Sequence, residues 1–233
     1  MTKEEFINEL KKIGINPSKD QLNQLERFYQ LLIEWNEKIN LTRITAKEDV
    51  YLKHFYDSLT ITKVINLNSN ITLCDIGTGA GFPGLVLKII FPNLKITLVD
   101  CLNKRINFLN TVIKELNLEN IKTIHARIED YGKINRELFD IVTARAVAPL
   151  NILLEYSIPL VKTNGYFIPL KGNLEKENNY QNALKVLKCT IIKKEIFNLP
   201  KENSHREILL IKKNNKTNKL FPRINSKIKN NSL

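Results

Sequence analysis

The sequence predicts an α/β fold: a seven-stranded, mostly parallel sheet that ends in an antiparallel hairpin, preceded by a helical N-terminal cap. Three observations predict it. From residue 71 onward, short β-rich runs alternate with amphipathic helical segments, the pattern of parallel βαβ units with right-handed crossovers. The last two runs are joined by Leu199-Pro200-Lys201-Glu202-Asn203-Ser204, which no crossover helix fits, so that pair must be antiparallel. The first seventy residues instead repeat their apolar side chains at helical spacing.

In the cap, Phe6, Ile7, Leu10 and Ile13 mark a first helix that stops at Gly14. Ser18 opens a second, and Gln21 three positions on completes a capping box. Its apolar face, Leu22, Leu25, Phe28, Tyr29, Leu32 and Trp35, reads as core packing. Thr45 with Glu48 repeats the box before a third helix over about 46–62. Strands are expected at 71–75, 95–100, 121–125, 139–143 and 166–170, then at 189–198 and 205–212. Helices are expected near 84–91, 103–117, 149–160 and 174–187. This divides the chain into a cap (1–68), a sheet domain (69–213) and a basic tail (214–233). From Lys212 to the end there are seven basic residues and no acidic one, so the tail is expected to be partly flexible.

With 233 residues, 43% of them hydrophobic, the chain can bury a real core. Its net charge of +12 favours a polyanionic partner, nucleic acid or an anionic surface, over a merely basic exterior. Cys74, Cys101 and Cys189 form no disulfide framework and no zinc spacing, and His54, His125 and His205 are far apart, so no metal site is expected. Neither a signal-peptide pattern nor an apolar run of bilayer length is present. A soluble, cytoplasmic monomer is expected.

The chemistry centres on the loop after the first strand. Gly79-Ala80-Gly81-Phe82-Pro83-Gly84 is a G-x-G-x-x-G pattern, which by itself also suits a dinucleotide. Asp75 closes the strand before the glycines, and Pro83 sits where a pyrophosphate would need the first helical amides. Both features favour S-adenosylmethionine, which carries no phosphate. Asp75 suits its cationic end, and the amides around Gly77, Gly79, Gly81 and Phe82 suit its carboxylate. Asp100, at the end of the second strand, can accept both ribose hydroxyls. Ile128 and Glu129, after the third strand, suit an adenine ring and its amino group.

Taken together, these segments resemble the RsmG (GidB) family of bacterial 16S rRNA guanine-N7 methyltransferases. The resemblance runs from Trp35-Asn36-Glu37-Lys38-Ile39-Asn40-Leu41-Thr42 through His54-Phe55-Tyr56-Asp57-Ser58-Leu59 and the loop from Asp75 to Gly84. It continues in Lys104-Arg105-Ile106-Asn107-Phe108-Leu109, Thr143-Ala144-Arg145-Ala146-Val147-Ala148-Pro149-Leu150 and Leu170-Lys171-Gly172. It spans roughly residues 25–225 and departs after Phe221-Pro222-Arg223, where the family's Gly- and Pro-containing stretch is replaced. It implies the class I methyltransferase fold and methylation of N7 of guanine 527 in the 530 loop of 16S rRNA, with rRNA or a small-subunit particle as partner. It also implies cofactor contacts at Gly77, Phe82, Asp100, Ile128, Glu129 and Arg145.

N7 of guanine has a free lone pair, so the reaction needs positioning and exclusion of water more than a general base. No nucleophile–base set stands out, and Thr143-Ala144-Arg145-Ala146 stands where amine methylation would need an N/D-P-P-Y/F motif. Arg145 is the candidate catalytic residue, clamping the cofactor carboxylate or donating to guanine O6, with a structural ion pair as its plain alternative. Lys104, Arg105, Lys171 and Arg223 are the leading phosphate contacts, with Lys38, Arg43 and Lys53 beside them. Two other readings stay open: a methyltransferase of another RNA, protein or small molecule, and a non-catalytic nucleotide-dependent RNA-binding module.

Overall fold

The computed structural model describes residues 1–174, 177 and 179–233. The N-terminal region begins with α1 (Lys3–Lys12) and α2 (Lys19–Ile39), each opened by a reciprocal capping box. In the second box, Gln21 N donates to Ser18 Oγ at 3.2 Å and Ser18 N donates to Gln21 Oε1 at 2.8 Å. The expected third helix is one run with changing winding: α3 (Lys47–Val50), a π-helical stretch (Tyr51–Tyr56), α4 (Asp57–Leu59) and a 3-10 turn (Thr60–Lys63). Thr45 does not cap it. The helix starts one residue too late for that, at an Ala46 N-cap without a side-chain bond.

The sheet domain then alternates β1 (Thr72–Ile76), α5 (Gly84–Ile90), β2 (Lys95–Asp100), α6 (Asn103–Glu115), β3 (Ile121–His125), α7 (Ile128–Ile134), β4 (Phe139–Arg145), α8 (Leu150–Ser157) and β5 (Val161–Lys171). It ends with α9 (Tyr180–Val186), β6 (Cys189–Asn198), β7 (His205–Lys213) and, past the sheet, α10 (Asn225–Asn230). The helix expected over 174–187 is thus seen from Tyr180, and its positions 175, 176 and 178 lie outside the described residues. The strand order is β3-β2-β1-β4-β5-β7-β6, parallel except for β7, which is antiparallel to both its neighbours. The order reverses between β1 and β4, and ligands of such sheets sit beyond the strand ends at that point.

Two apolar cores flank the sheet. One holds Leu73, Leu98, α5 and α6 together with the N-terminal helices. Phe28 of α2 lies 5.4 Å from Phe82 and 6.4 Å from Phe108, so the cap and the sheet domain share this core. The other holds Cys74, Val99, Val142, α8, α9 and Ile228. Gln21 adds a polar tie, because its Nε2 donates to the terminal carbonyls of α5, Ile89 O (3.0 Å) and Ile90 O (2.9 Å). Lys88 is buried with its ammonium on Pro92 O (2.7 Å) and Leu94 O (2.6 Å). Lys213 is buried completely, and its three donors meet Val161 O (2.7 Å), Ile158 O (3.0 Å) and Glu137 Oε1 (3.1 Å).

The tail, expected to be partly flexible, is anchored to the sheet domain at several points. Arg136 donates to the carbonyls of Thr217, Asn218 and Phe221. Arg223 places its backbone N–H and two guanidinium nitrogens on the buried Glu155 carboxylate at 2.6–2.9 Å. Ile228 is fully buried in the second core. The physical reason is that a buried carboxylate needs a cation, and the tail supplies it.

Candidate cofactor and substrate site

Asp75, at the end of β1, is fully buried. Its Oδ2 accepts from Thr78 Oγ1 (2.6 Å) and from Gly84 N (2.8 Å), the first amide of α5. The helix N-terminus that a pyrophosphate would need is therefore already occupied by a carboxylate of the chain itself. Through Oδ2 the side chain closes the loop on α5, a structural role that the sequence did not suggest. Its Oδ1 has no partner. Burial, partly offset by these hydrogen bonds, pushes its pKa up to about 7. Gly84 is required here, since a Cβ would come within 2.3 Å of Leu98 and 2.8 Å of Asp75 Oδ2. The loop's own amides are mostly engaged as well. Gly77 N and Thr78 N donate to Val99 O, Gly81 N and Phe82 N to Thr78 O, and Gly79 N to Asp100 Oδ2. The expectation that these amides hold a carboxylate therefore narrows to Ala80.

Beyond the strand ends lies a cavity of about 320 Å³. Gly77 from the β1 loop, Asp100 from β2, Ile128 and Glu129 from the start of α7, and Ala146 after β4 all line it. Gly77 has a left-handed backbone (φ 64°), and a Cβ there would come 2.7 Å from Val147. Asp100 Oδ1 accepts from Leu102 N (2.9 Å), while Oδ2 accepts from Gly79 N (3.0 Å) and Arg105 Nη1 (3.2 Å). The structure thus brings Gly77, Asp100, Ile128 and Glu129 together. Gly79 joins them through Asp100.

Arg145 and Phe82 are placed elsewhere. Arg145 lines a neighbouring cavity of about 360 Å³ with His54, Asp57, Lys171 and Arg206, and Ala146 borders both spaces. Its Nη1 donates to Lys53 O and to Asp57 Oδ2, both at 2.9 Å, and its Nη2 donates to His54 Nδ1 at 3.1 Å. The π-helical stretch, a feature common at functional sites, presents Lys53 O and His54 to Arg145, with Asp57 just beyond it. Because a guanidinium only donates, His54 Nδ1 is the acceptor, and Nε2 carries the hydrogen that reaches Thr42 Oγ1 (3.0 Å). Burial, then the nearby Arg145 charge, lowers the His54 pKa to about 3, so the ring is neutral. Phe82 is the floor of this arrangement. Its ring stacks on His54 at 4.4 Å and lies 5.3 Å from the Arg145 guanidinium, and its side chain lines neither cavity.

Asp57 stood out in the sequence only as the neighbour of His54, and Arg206 did not stand out at all. The buried Asp57 carboxylate bridges two arginines, with Arg206 Nε on Oδ1 at 2.9 Å. Asp57 three positions after His54 carried a helical-face signal in the sequence, whereas Arg206 arrives from β7 with no local one. The expected RNA-contacting residues separate. Lys104 is exposed at the start of α6, Arg105 lies on Asp100, and Lys171 is tied to Glu177 (2.6 Å) and Ala148 O (2.9 Å). Arg223 is committed to Glu155, a correction to its expected place on phosphate.

Among the described residues, no helix is long and apolar enough to cross a membrane. Among them there is also no group of three or more His, Cys, Asp or Glu suited to a metal.

The sheet order and final hairpin are those of the class I S-adenosylmethionine-dependent methyltransferases, and the occupied α5 N-terminus sets this loop apart from dinucleotide sites with the same glycine pattern. Solved structures with this fold include TrmN from Thermus thermophilus (TM-score 0.54, 14% identity, covering 67% of this chain and 48% of that one). A SAM dependent methyltransferase from Aquifex aeolicus has a TM-score of 0.52 at 16% identity, covering 70% and 92%. At such identities the likeness is one of fold. The chain belongs to the rRNA small subunit methyltransferase G family, whose profile matches residues 21–209. It is 50% identical over 227 residues to ribosomal RNA small subunit methyltransferase G of Bacillus velezensis, covering 96% of this chain and 95% of that protein. Its identity to the protein of the same name from Oceanobacillus iheyensis is 48%, with the same coverage.

Proposed function

We propose that the chain transfers the methyl group of S-adenosylmethionine to N7 of guanine 527 in the 530 loop of 16S rRNA, in the cytoplasm, with rRNA or the small-subunit particle as its partner. The observation that carries this reading is the pair of cavities meeting at Ala146, with Arg145 held in the second one. The residues of the first cavity fit the cofactor: Asp100 suits ribose hydroxyls, Ile128 and Glu129 suit adenine, and the first amide of α5, where a pyrophosphate would sit, is held by Asp75. S-adenosylmethionine, when bound, supplies an electrophilic methyl on a sulfonium.

The residues of the second cavity then have to orient a guanine. Of the five Arg145 donors, three are engaged by Lys53, Asp57 and His54, which leaves Nε–H and one Nη2–H. Donation from these to guanine O6 holds the base while leaving the N7 lone pair unobstructed. A neutral His54, bonded through both ring nitrogens, takes no proton, and N7 has none to give. Catalysis is then alignment of the methyl group with the N7 lone pair. Mass spectrometry of 16S rRNA from a strain lacking the gene tests the reading. Loss of 7-methylguanosine at position 527, restored by the gene, is expected; an unchanged modification overturns it.

A further inference from the structure

The geometry points to α10 as part of the cofactor site, with Asn225 and Lys229 donating hydrogen bonds to the adenine ring of S-adenosylmethionine. This rests on the cofactor reading above and extends it to a segment outside the matched family region, which ends at residue 209.

The 320 Å³ cavity is not closed by the strand ends alone. Asn225 and Lys229 line it too, together with Ile128, Glu129 and Tyr156. They are four residues apart on one helix and therefore share a face. The helix is fixed where it is. Ile228, between them in sequence, is fully buried, Arg223 just before the helix holds buried Glu155, and Ser232 just after it accepts from Asn151 Nδ2 at 2.8 Å.

Donor polarity decides what this wall recognises. The Tyr156 hydroxyl donates to Asn225 Oδ1 at 2.8 Å, which fixes the amide with its NH2 group free to donate. Lys229 is exposed, with no ion pair among the described residues. An adenine ring presents one amino donor and ring nitrogens that only accept. Glu129 and Ile128 suit the amino group and the ring face, but neither side chain can donate to a ring nitrogen. The α10 wall adds two side-chain donors on the side of the cavity facing Ile128 and Glu129, beside those of Arg105 and Arg127 and the first amides of α7.

Calorimetry with S-adenosylhomocysteine tests this on the full chain, using wild type, Asn225→Ala/Lys229→Ala and Lys229→Gln. The double variant should bind roughly five- to tenfold more weakly and the single variant should fall between, with the melting temperature of ligand-free Lys229→Gln unchanged and that of the double variant lowered only by the loss of the Tyr156 bond; losing one to two net hydrogen bonds to the ligand gives affinity effects of this size. Affinity equal to wild type in both variants overturns the α10 inference and leaves the cofactor reading standing. Weaker binding of a 16S rRNA fragment with unchanged S-adenosylhomocysteine affinity overturns it in favour of an RNA contact. A wild-type protein that binds no S-adenosylhomocysteine overturns the cofactor reading, and the α10 inference falls with it.

Discussion

Arg145 has three bonds to its own chain and faces the cavity next to the one that Asp100 lines. A residue so placed should affect transfer and not cofactor binding. Arg145→Lys keeps the charge but cannot reproduce the forked contacts. It should slow single-turnover methylation by about 10²–10³-fold, the usual effect of removing one donor aimed at a reacting group, while S-adenosylhomocysteine affinity by calorimetry stays near wild type. A parallel loss of cofactor affinity would return Arg145 to the cofactor carboxylate. His54 makes a pH prediction. Its folded pKa, about 3, lies below the ordinary value of 6.5. The folded state therefore binds fewer protons than the unfolded one between these values, and stability falls as pH drops through that window. The denaturation midpoint should decline from pH 7 to pH 5 in wild type and decline less in His54→Asn, which keeps an acceptor for Arg145. Asp57 and Arg206 show what was not legible at this scale: the motif around His54 was visible, but the partner that anchors Asp57 comes from 149 residues away.

The elements that repeat a period over many residues were legible, and the short ones held by tertiary contacts were not. The seven strands and the long helices follow alternation and spacing in the sequence, with boundaries shifted by a few residues. The seven-residue α7 was missed because it has no side-chain cap and contains Gly132. The six-residue α10 was missed because Asn225-Ser226-Lys227 favours a turn as much as a helix, and only the burial of Ile228 fixes it. Gln21 joins two elements. Gln21→Ala should lose the reciprocal cap of α2 and both carbonyl contacts to α5, costing about 1–2 kcal/mol against about 1 kcal/mol for Ser18→Ala, as read from urea unfolding midpoints. Equal losses would mean that the tie to α5 adds nothing.

Over the whole molecule the fold class was legible because a chain of alternating β and α segments has few ways to bury both faces of one sheet. The partition into cap, sheet domain and tail follows the change of periodicity near residue 70 and the basic composition of the tail, and neither signal reports how the three pack. Phe28 carries the first core across one proposed boundary, and Arg223 with Ile228 closes the other. The net charge of +12 still predicts RNA affinity that falls steeply with salt. Lys104→Ala should lower the slope of log affinity against log salt by about one contact. Arg223→Ala should leave that slope unchanged while lowering the melting temperature, since stranding a buried carboxylate costs about 3–5 kcal/mol. A reduced slope for Arg223→Ala would place that side chain on phosphate after all.

The two buried lysines give the molecule internal reporters of its own opening. Lys88 and Lys213 are sealed, each ammonium held by carbonyls, while most other lysines of this basic chain face water. In timed acylation with a small amine reagent, followed by peptide mass spectrometry, the exposed amines should react at once. These two should react only when the structure around them opens. Lys213 contacts the carbonyls at the start of β5 and Lys88 those that follow α5, so each reads a different region. Coincident labelling of both would report all-or-none unfolding, and labelling of Lys88 first would report the α5 side opening alone.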